Sequence, residues 1–113
     1  MTALETVRQI ARLRQLADLM LDARLMALRS ASSARAASLE RLADLDQPAA
    51  ATDLPDLAAS GVELRYQRWA DQRRAEINLT LARQTAAWIE ARQSATVALG
   101  KADALRTLAK KRK

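Results

Sequence analysis

Apolar residues return along most of this chain in alternating steps of four and three, the spacing that keeps side chains on one side of a helix. From Ile77 the steps land on Leu81, Gln84, Trp88, Ala91, Ala95, Ala98, Ala102, Leu105 and Ala109. Beyond Trp88 this seam is almost entirely alanine, narrow enough for a second backbone to approach closely. The N-terminal part carries its own stripe, Val7, Ile10, Leu13, Ala17 and Met20. Leu16, Leu19, Leu21, Leu25, Met26 and Leu28 spread over a wider arc than one seam needs.

Caps and breakers set the boundaries. Thr2 with Glu5 fits the S/T-x-x-E capping box, and no Gly or Pro follows until Pro48. The first predicted helix covers residues 2 to about 46, roughly 65 Å at about 1.5 Å per residue. Residues 47 to 60, QPAAATDLPDLAAS, hold both prolines and read as a connector, within which 53 to 59 could form a short turn. Ser60 and Glu63 repeat the capping-box spacing and predict a second helix over residues 61 to about 110, followed by a basic tail at 111 to 113. Gly61 would fall in its first turn and Gly100 inside it, the latter costing about 1 kcal/mol relative to alanine.

Helices of this length are several times the globular average. Sustained four-three spacing therefore predicts an all-α fold, a single domain built as one long antiparallel two-helix coiled-coil hairpin. A break within RSASSARAAS, residues 29 to 38, would give a three- or four-helix bundle instead, although serine costs only about a few tenths of a kcal/mol per position. Doubling the chain back about residue 51 sets Val7, Ile10 and Leu13 against the alanines at 91, 95 and 98, with Trp88 beside Leu13. At the other end it sets Ala27, Ala31 and Ala34 against Tyr66, Ala70 and Ile77 or their neighbours. Large residues then meet small ones, and the two helices can pack closely.

Composition narrows the chemistry. Of 113 residues half are apolar, and there are two Trp, one Tyr and no Phe. With no cysteine, neither a disulfide nor a thiolate metal site can form; with no histidine, the commonest general base and metal ligand are missing. No Gly-rich phosphate loop or nucleophile elbow accompanies the carboxylates. No catalytic residue, cofactor or metal is expected. No apolar run reaches the ~18 residues of a membrane span, and no basic-then-apolar stretch opens the chain, so a cytoplasmic protein is expected.

Charge is unevenly placed. Residues 1 to 46 hold seven Arg and six acidic residues, whereas 62 to 113 hold twelve Lys or Arg against five acidic ones. Arg65, Arg68, Arg73 and Arg74 make one basic cluster, and Lys110, Lys111, Arg112 and Lys113 another. Solvated helix faces and a basic last turn account for much of this. Beyond that, the excess suits electrostatic docking to an acidic protein surface. A pI of about 10.7 also raises nucleic-acid binding. Against it, no extended run of aromatics interleaves with the basic residues for base stacking, and no DNA-binding motif is present.

Tyr66 to Trp69, YQRW, is the sharpest local feature. Running the seam back from Ile77 through Arg73 and Ala70 places Tyr66 on it and Trp69 on its flank, where a tryptophan either widens the seam or anchors a partner. The Trp69 stripe continues at Arg73, Glu76 and Thr80. The leucines of the first helix, Leu21, Leu25 and Leu28 among them, offer an apolar face either for a partner or for a homodimer through Leu16, Leu19, Leu21, Leu25 and Leu28.

The second helix, YQRWADQRRAEINLTLARQTAAWIEARQSATVALGKADALRTLAKK, resembles the FliJ/YscO family, the small stalk proteins of the flagellar and type III secretion export ATPase. The shared features are a Tyr-Gln-x-aromatic start, a tryptophan about three heptads later, and small and basic residues closing on an x-Leu-x-x-Leu pattern. The resemblance covers about residues 62 to 110; the first helix agrees in length, cap and pattern. It implies an antiparallel coiled coil inserted in a hexameric export ATPase ring, similar in shape to a rotary-ATPase stalk, that also binds an export-gate membrane protein and export chaperones. It further implies a cytoplasmic location, peripheral to the inner-membrane export apparatus. The gate-contacting stripe would begin at Trp69 and pass through Arg73, Glu76 and Thr80, of which only Trp69 keeps the family's character. The chain is shorter than typical flagellar members, chiefly around the connector. Other readings from different classes are a basic nucleic-acid-binding coiled coil and a homodimeric helical scaffold or chaperone.

Overall fold

A computed structural model describes residues 2–47 and 56–111, which form two helices and no strand: α1, Ala3–Leu45, and α2, Asp56–Lys111. The start of α1 is the reciprocal box its sequence announces. The Thr2 amide donates to Glu5 Oε2 at 3.2 Å, and the Glu5 amide donates to Thr2 Oγ1 at 3.2 Å. Two donors that no helical carbonyl can reach are thereby satisfied. α1 continues unbroken through residues 29 to 38, because the serines there cost little and their side chains find places on the helix surface or in the seam. It ends in tightened bonds, Asp46 amide to Ala43 carbonyl at 3.1 Å and Gln47 amide to Asp44 carbonyl at 3.3 Å.

α2 begins at Asp56 rather than at residue 61. Ser60 therefore lies inside the helix and does not cap it. The sequence before Ser60 is already helix-compatible: a proline precedes an acidic residue, which suits a positive helix end, and Leu-Ala-Ala follows. Gly61 and Gly100 are both interior to α2, and a β-carbon at either would meet nothing within 4 Å. The rest of the expected connector, residues 48 to 55, lies outside the described residues.

The helices associate in two units, each an antiparallel pair of segments. The first pairs Met1–Ser32 with Ala86–Lys113. Its core is Leu21 against Ala98 and Ala102, with Ala17 and Leu25 packed alongside. Ala102 is completely buried, and Ile10 and Ala95 are nearly so. One bulky side chain resting on two methyl groups is the large-on-small packing expected of an alanine seam, and burying a leucine in this way contributes about 2 kcal/mol.

The second unit is Ser33–Thr85. Ala70 and Ile77 are its buried apolar residues, and Ser38 is fully buried between the helices. The Ser38 hydroxyl donates to Gln84 Oε1, and Arg35 Nε donates to Thr85 Oγ1 at 3.1 Å. Every seam position of α2 from Ile77 to Ala109 is buried or half-buried, as its spacing predicts.

The pairing register differs from a fold about residue 51. In the first unit Ala98 and Ala102 close on Leu21, not on Leu13. Val7, Leu13 and Met20 stay 43%, 51% and 50% exposed, so the seam of α1 is carried by Ile10, Ala17 and Leu21. Ala27 and Ala31 belong to the first unit and Ala34 is exposed, so they do not pair with Tyr66, Ala70 and Ile77; in the second unit Arg35 meets Thr85 and Asp46 meets Arg74, pairs whose midpoint is near residue 60. Polar chemistry selects this register. A fold about residue 51 would set Ser38 against Leu64 and bury its hydroxyl without a partner, at a cost of about 1–3 kcal/mol.

Candidate docking surfaces

The interior is used up by packing. Among the described residues no group of three or more carboxylates, histidines or cysteines could hold a metal ion, and every buried side-chain nitrogen or oxygen has a partner. No described helix is long and apolar enough to cross a membrane. Groups able to recognise a partner therefore lie on the surface.

One surface arises because the register leaves the start of α2 beyond the end of α1. The last hydrogen bonds on that side run from Arg74 to Leu45 and Asp46, and Ala70, one turn earlier, is the first buried side chain of α2 among the described residues. Asp56 precedes Arg74 by roughly five helical turns. Side chains 60 to 69 are all exposed, Arg65, Arg68 and Tyr66 among them. Trp69 is 54% exposed and leans on Tyr66, their ring centroids 5.8 Å apart at 41°. Tyr66, expected on the seam, has no α1 residue opposite it, since its counterpart would lie past Leu45.

Arg73 and Arg74 separate in role. Arg74 is the half-buried one: it donates to Asp46 at 2.9 Å, to Asp71 at 2.8 Å and to the Leu45 carbonyl at 3.4 Å. α1 has no basic residue in its own last turn, so a cation from α2 supplies the charge that its carbonyl end attracts. Arg73, which the seam count had assigned to that position, points outward and pairs with Glu76 at 3.1 Å. Exposed i,i+3 pairs are worth about 0–1 kcal/mol, so this one yields easily to a partner. Trp69, Arg73 and Glu76 line one shallow surface pocket with Gln72. Thr80 is exposed and lies outside it.

The leucine face is corrected. Leu21 is 8% exposed and belongs to the core, and Leu25 and Leu28 are half-buried beside the seam. Leu21 is therefore not available to a partner, and Leu25 and Leu28 present only part of their side chains. Exposed apolar area in this part of α1 comes instead from Leu13, Leu16, Leu19, Met20 and Met26. The signal was available in the phase: seven- and four-residue steps from Ile10 give Ala17 and Leu21, the positions that pack, and leave Leu13, Leu16 and Met20 off the seam.

At the other end of α2, Lys110 and Lys111 are exposed in its last turn, where they complement the negative end of the helix. Arg112 lies outside the described residues. Trp88, half-buried on the seam, carries the Arg92 guanidinium 4.9 Å from its ring centroid. It therefore belongs to the packing of the first unit, and Trp69 alone of the two tryptophans is presented outward.

No family model, curated protein or solved structure matches the chain.

Proposed function

We propose that the chain is a non-enzymatic stalk component of a flagellar or type III protein export complex, binding the export ATPase ring and joining it to the export gate and to export chaperones. The observation that carries the reading is the run of α2 ahead of Ala70, exposed at every position from 60 to 69, which presents the Tyr66 and Trp69 rings beside Arg65 and Arg68. An aromatic anchor ringed by arginines is the composition of interface hot spots. The alanine seam supports it further, since small seam residues let two helices pack into a slim shaft. The likeness of residues 62 to 110 to the FliJ/YscO pattern supplies the identity of the partner. On this reading the chain works at the cytoplasmic side of the inner membrane.

The deciding experiment mixes the full chain with the export ATPase from the same genome and measures co-sedimentation and ATP hydrolysis. Association at moderate salt with faster hydrolysis is expected, weakened by Trp69→Ala and by Arg65→Glu with Arg68→Glu. No association would end the reading. Tight duplex-DNA binding that falls steeply with salt would replace it with nucleic-acid recognition.

A further inference from the structure

The first unit has two unlike flanks. On one, Arg106 reaches across to Asp18 at 3.3 Å and also approaches Asp103 at 3.6 Å, so the edge of the seam is bridged by charge. On the other, α1 and α2 part to leave an open groove of about 690 Å³. Its walls are apolar on both sides, with Leu13, Leu16 and Met20 from α1 and Val97 from α2. These four side chains are between 50% and 57% exposed. The three from α1 lie at i, i+3 and i+7, so their combined face is about two turns long. Alanines 17, 98 and 104 make part of the lining, which keeps the groove deep enough for side chains to enter.

We infer that this groove is a docking site for one amphipathic helix of a partner protein, with an apolar stripe facing in and acidic residues along its edges. Charge decides the flanks. Arg24 and Lys101 are the charged residues among those lining the groove, and both are positive. A leucine stripe bordered by Glu or Asp satisfies the apolar walls and the two cations together. A second copy of this chain fits less well, because pairing groove to groove would double the positive charge in one dry seam. A bilayer also fits less well, since lipid takes up an apolar ridge that protrudes, whereas this surface is concave. The site is separate from the Trp69 surface and stands whether or not the chain binds an ATPase ring.

The test titrates the full chain into fluorescent synthetic helical peptides of about 16 residues, long enough to span the groove. One carries a leucine stripe flanked by Glu, one the same stripe flanked by Lys, and one the Glu composition in scrambled order. Saturable binding of the Glu-flanked peptide is expected, about tenfold tighter than the Lys-flanked peptide at low salt, with the gap narrowing as salt rises. Leu16→Asp and Met20→Asp should each weaken it about fivefold or more while helicity by circular dichroism is unchanged, because both side chains are already half in solvent. Leu19→Asp, an exposed position outside the groove, should leave binding intact. Arg24→Glu with Lys101→Glu should reverse the preference between Glu and Lys flanks. The inference is overturned by equal affinity for both flank charges, by equal binding of the scrambled peptide, by no saturable binding, or by equal loss with Leu19→Asp. A concentration-dependent dimer that Leu16→Asp dissociates would give the groove to a second copy. Binding to anionic phosphatidylglycerol vesicles that Leu16→Asp abolishes, with no peptide binding, would give it to a membrane.

Discussion

The hydroxyl of Ser38, fully buried, donates to the side-chain carbonyl of Gln84 across the seam of the second unit. Apolar contacts on either side of it tolerate sliding, but a buried hydroxyl and a half-buried amide must meet each other or go unsatisfied. Ser38→Ala should therefore lower the unfolding free energy by about 1–2 kcal/mol, leaving the Gln84 amide without its partner. Ser38→Ala combined with Gln84→Leu should recover most of that loss, since an apolar pair needs no hydrogen bond. Urea titrations of the wild type, both single variants and the double variant measure the coupling. Strictly additive losses would mean that the two residues do not act as a pair.

Arg74 joins the end of α1 to α2, whereas Arg73 reaches only its own helix. Arg74→Ala should cost about 1 kcal/mol and speed amide exchange in the last turn of α1, with the difference shrinking at high salt. Arg73→Ala should change neither. Equal effects on exchange would remove the distinction drawn between the two arginines.

Gly100 is exposed inside α2, and a methyl group there meets open space. Gly100→Ala should raise stability by about 0.5–1 kcal/mol, by reducing the freedom of the unfolded chain and improving helix propensity. A thermal melt reads this as an upward shift. No shift would indicate that this part of α2 is not helical under the conditions used.

The two tryptophans should separate in the same assay. Trp88→Ala removes a half-buried seam residue together with the Arg92 contact and should cost about 2–3 kcal/mol. Trp69→Ala removes an exposed ring and should stay within about 0.5 kcal/mol of wild type, while weakening partner binding. In single-tryptophan variants acrylamide should quench Trp69 much more than Trp88. Comparable destabilisation by both substitutions would make Trp69 a packing residue and withdraw it as an anchor.

Local chemistry was legible in advance and pairing was not. The Thr2 box, the length of α1 and the whole α2 seam from Ile77 to Ala109 follow from cap residues and helical periodicity, which act within a few turns of the chain. The start of α2 was missed because Ser60 and Glu63 imitate a cap, while Asp56 through Ala59 already favour helix. Of the candidate docking residues, Trp69, Arg65, Arg68, Lys110 and Lys111 are exposed as the phase implied. Leu21 is not, because a stripe counted through Val7, Leu13 and Met20 is offset from the one that packs.

What the amino-acid order determined alone is that two long helices form, that α2 presents a narrow alanine-rich seam, and that basic charge gathers on α2. What only the tertiary structure decided is which part of α1 lies on that seam, and with it the exposed start of α2, the burial of Leu21 and the open groove beside Leu13, Leu16 and Met20. The reason is physical: a seam of repeating small and large apolar residues changes little in energy as one helix slides along another. The choice turns on polar partners far apart in sequence, above all the buried Ser38 with Gln84, whose meeting no local pattern encodes.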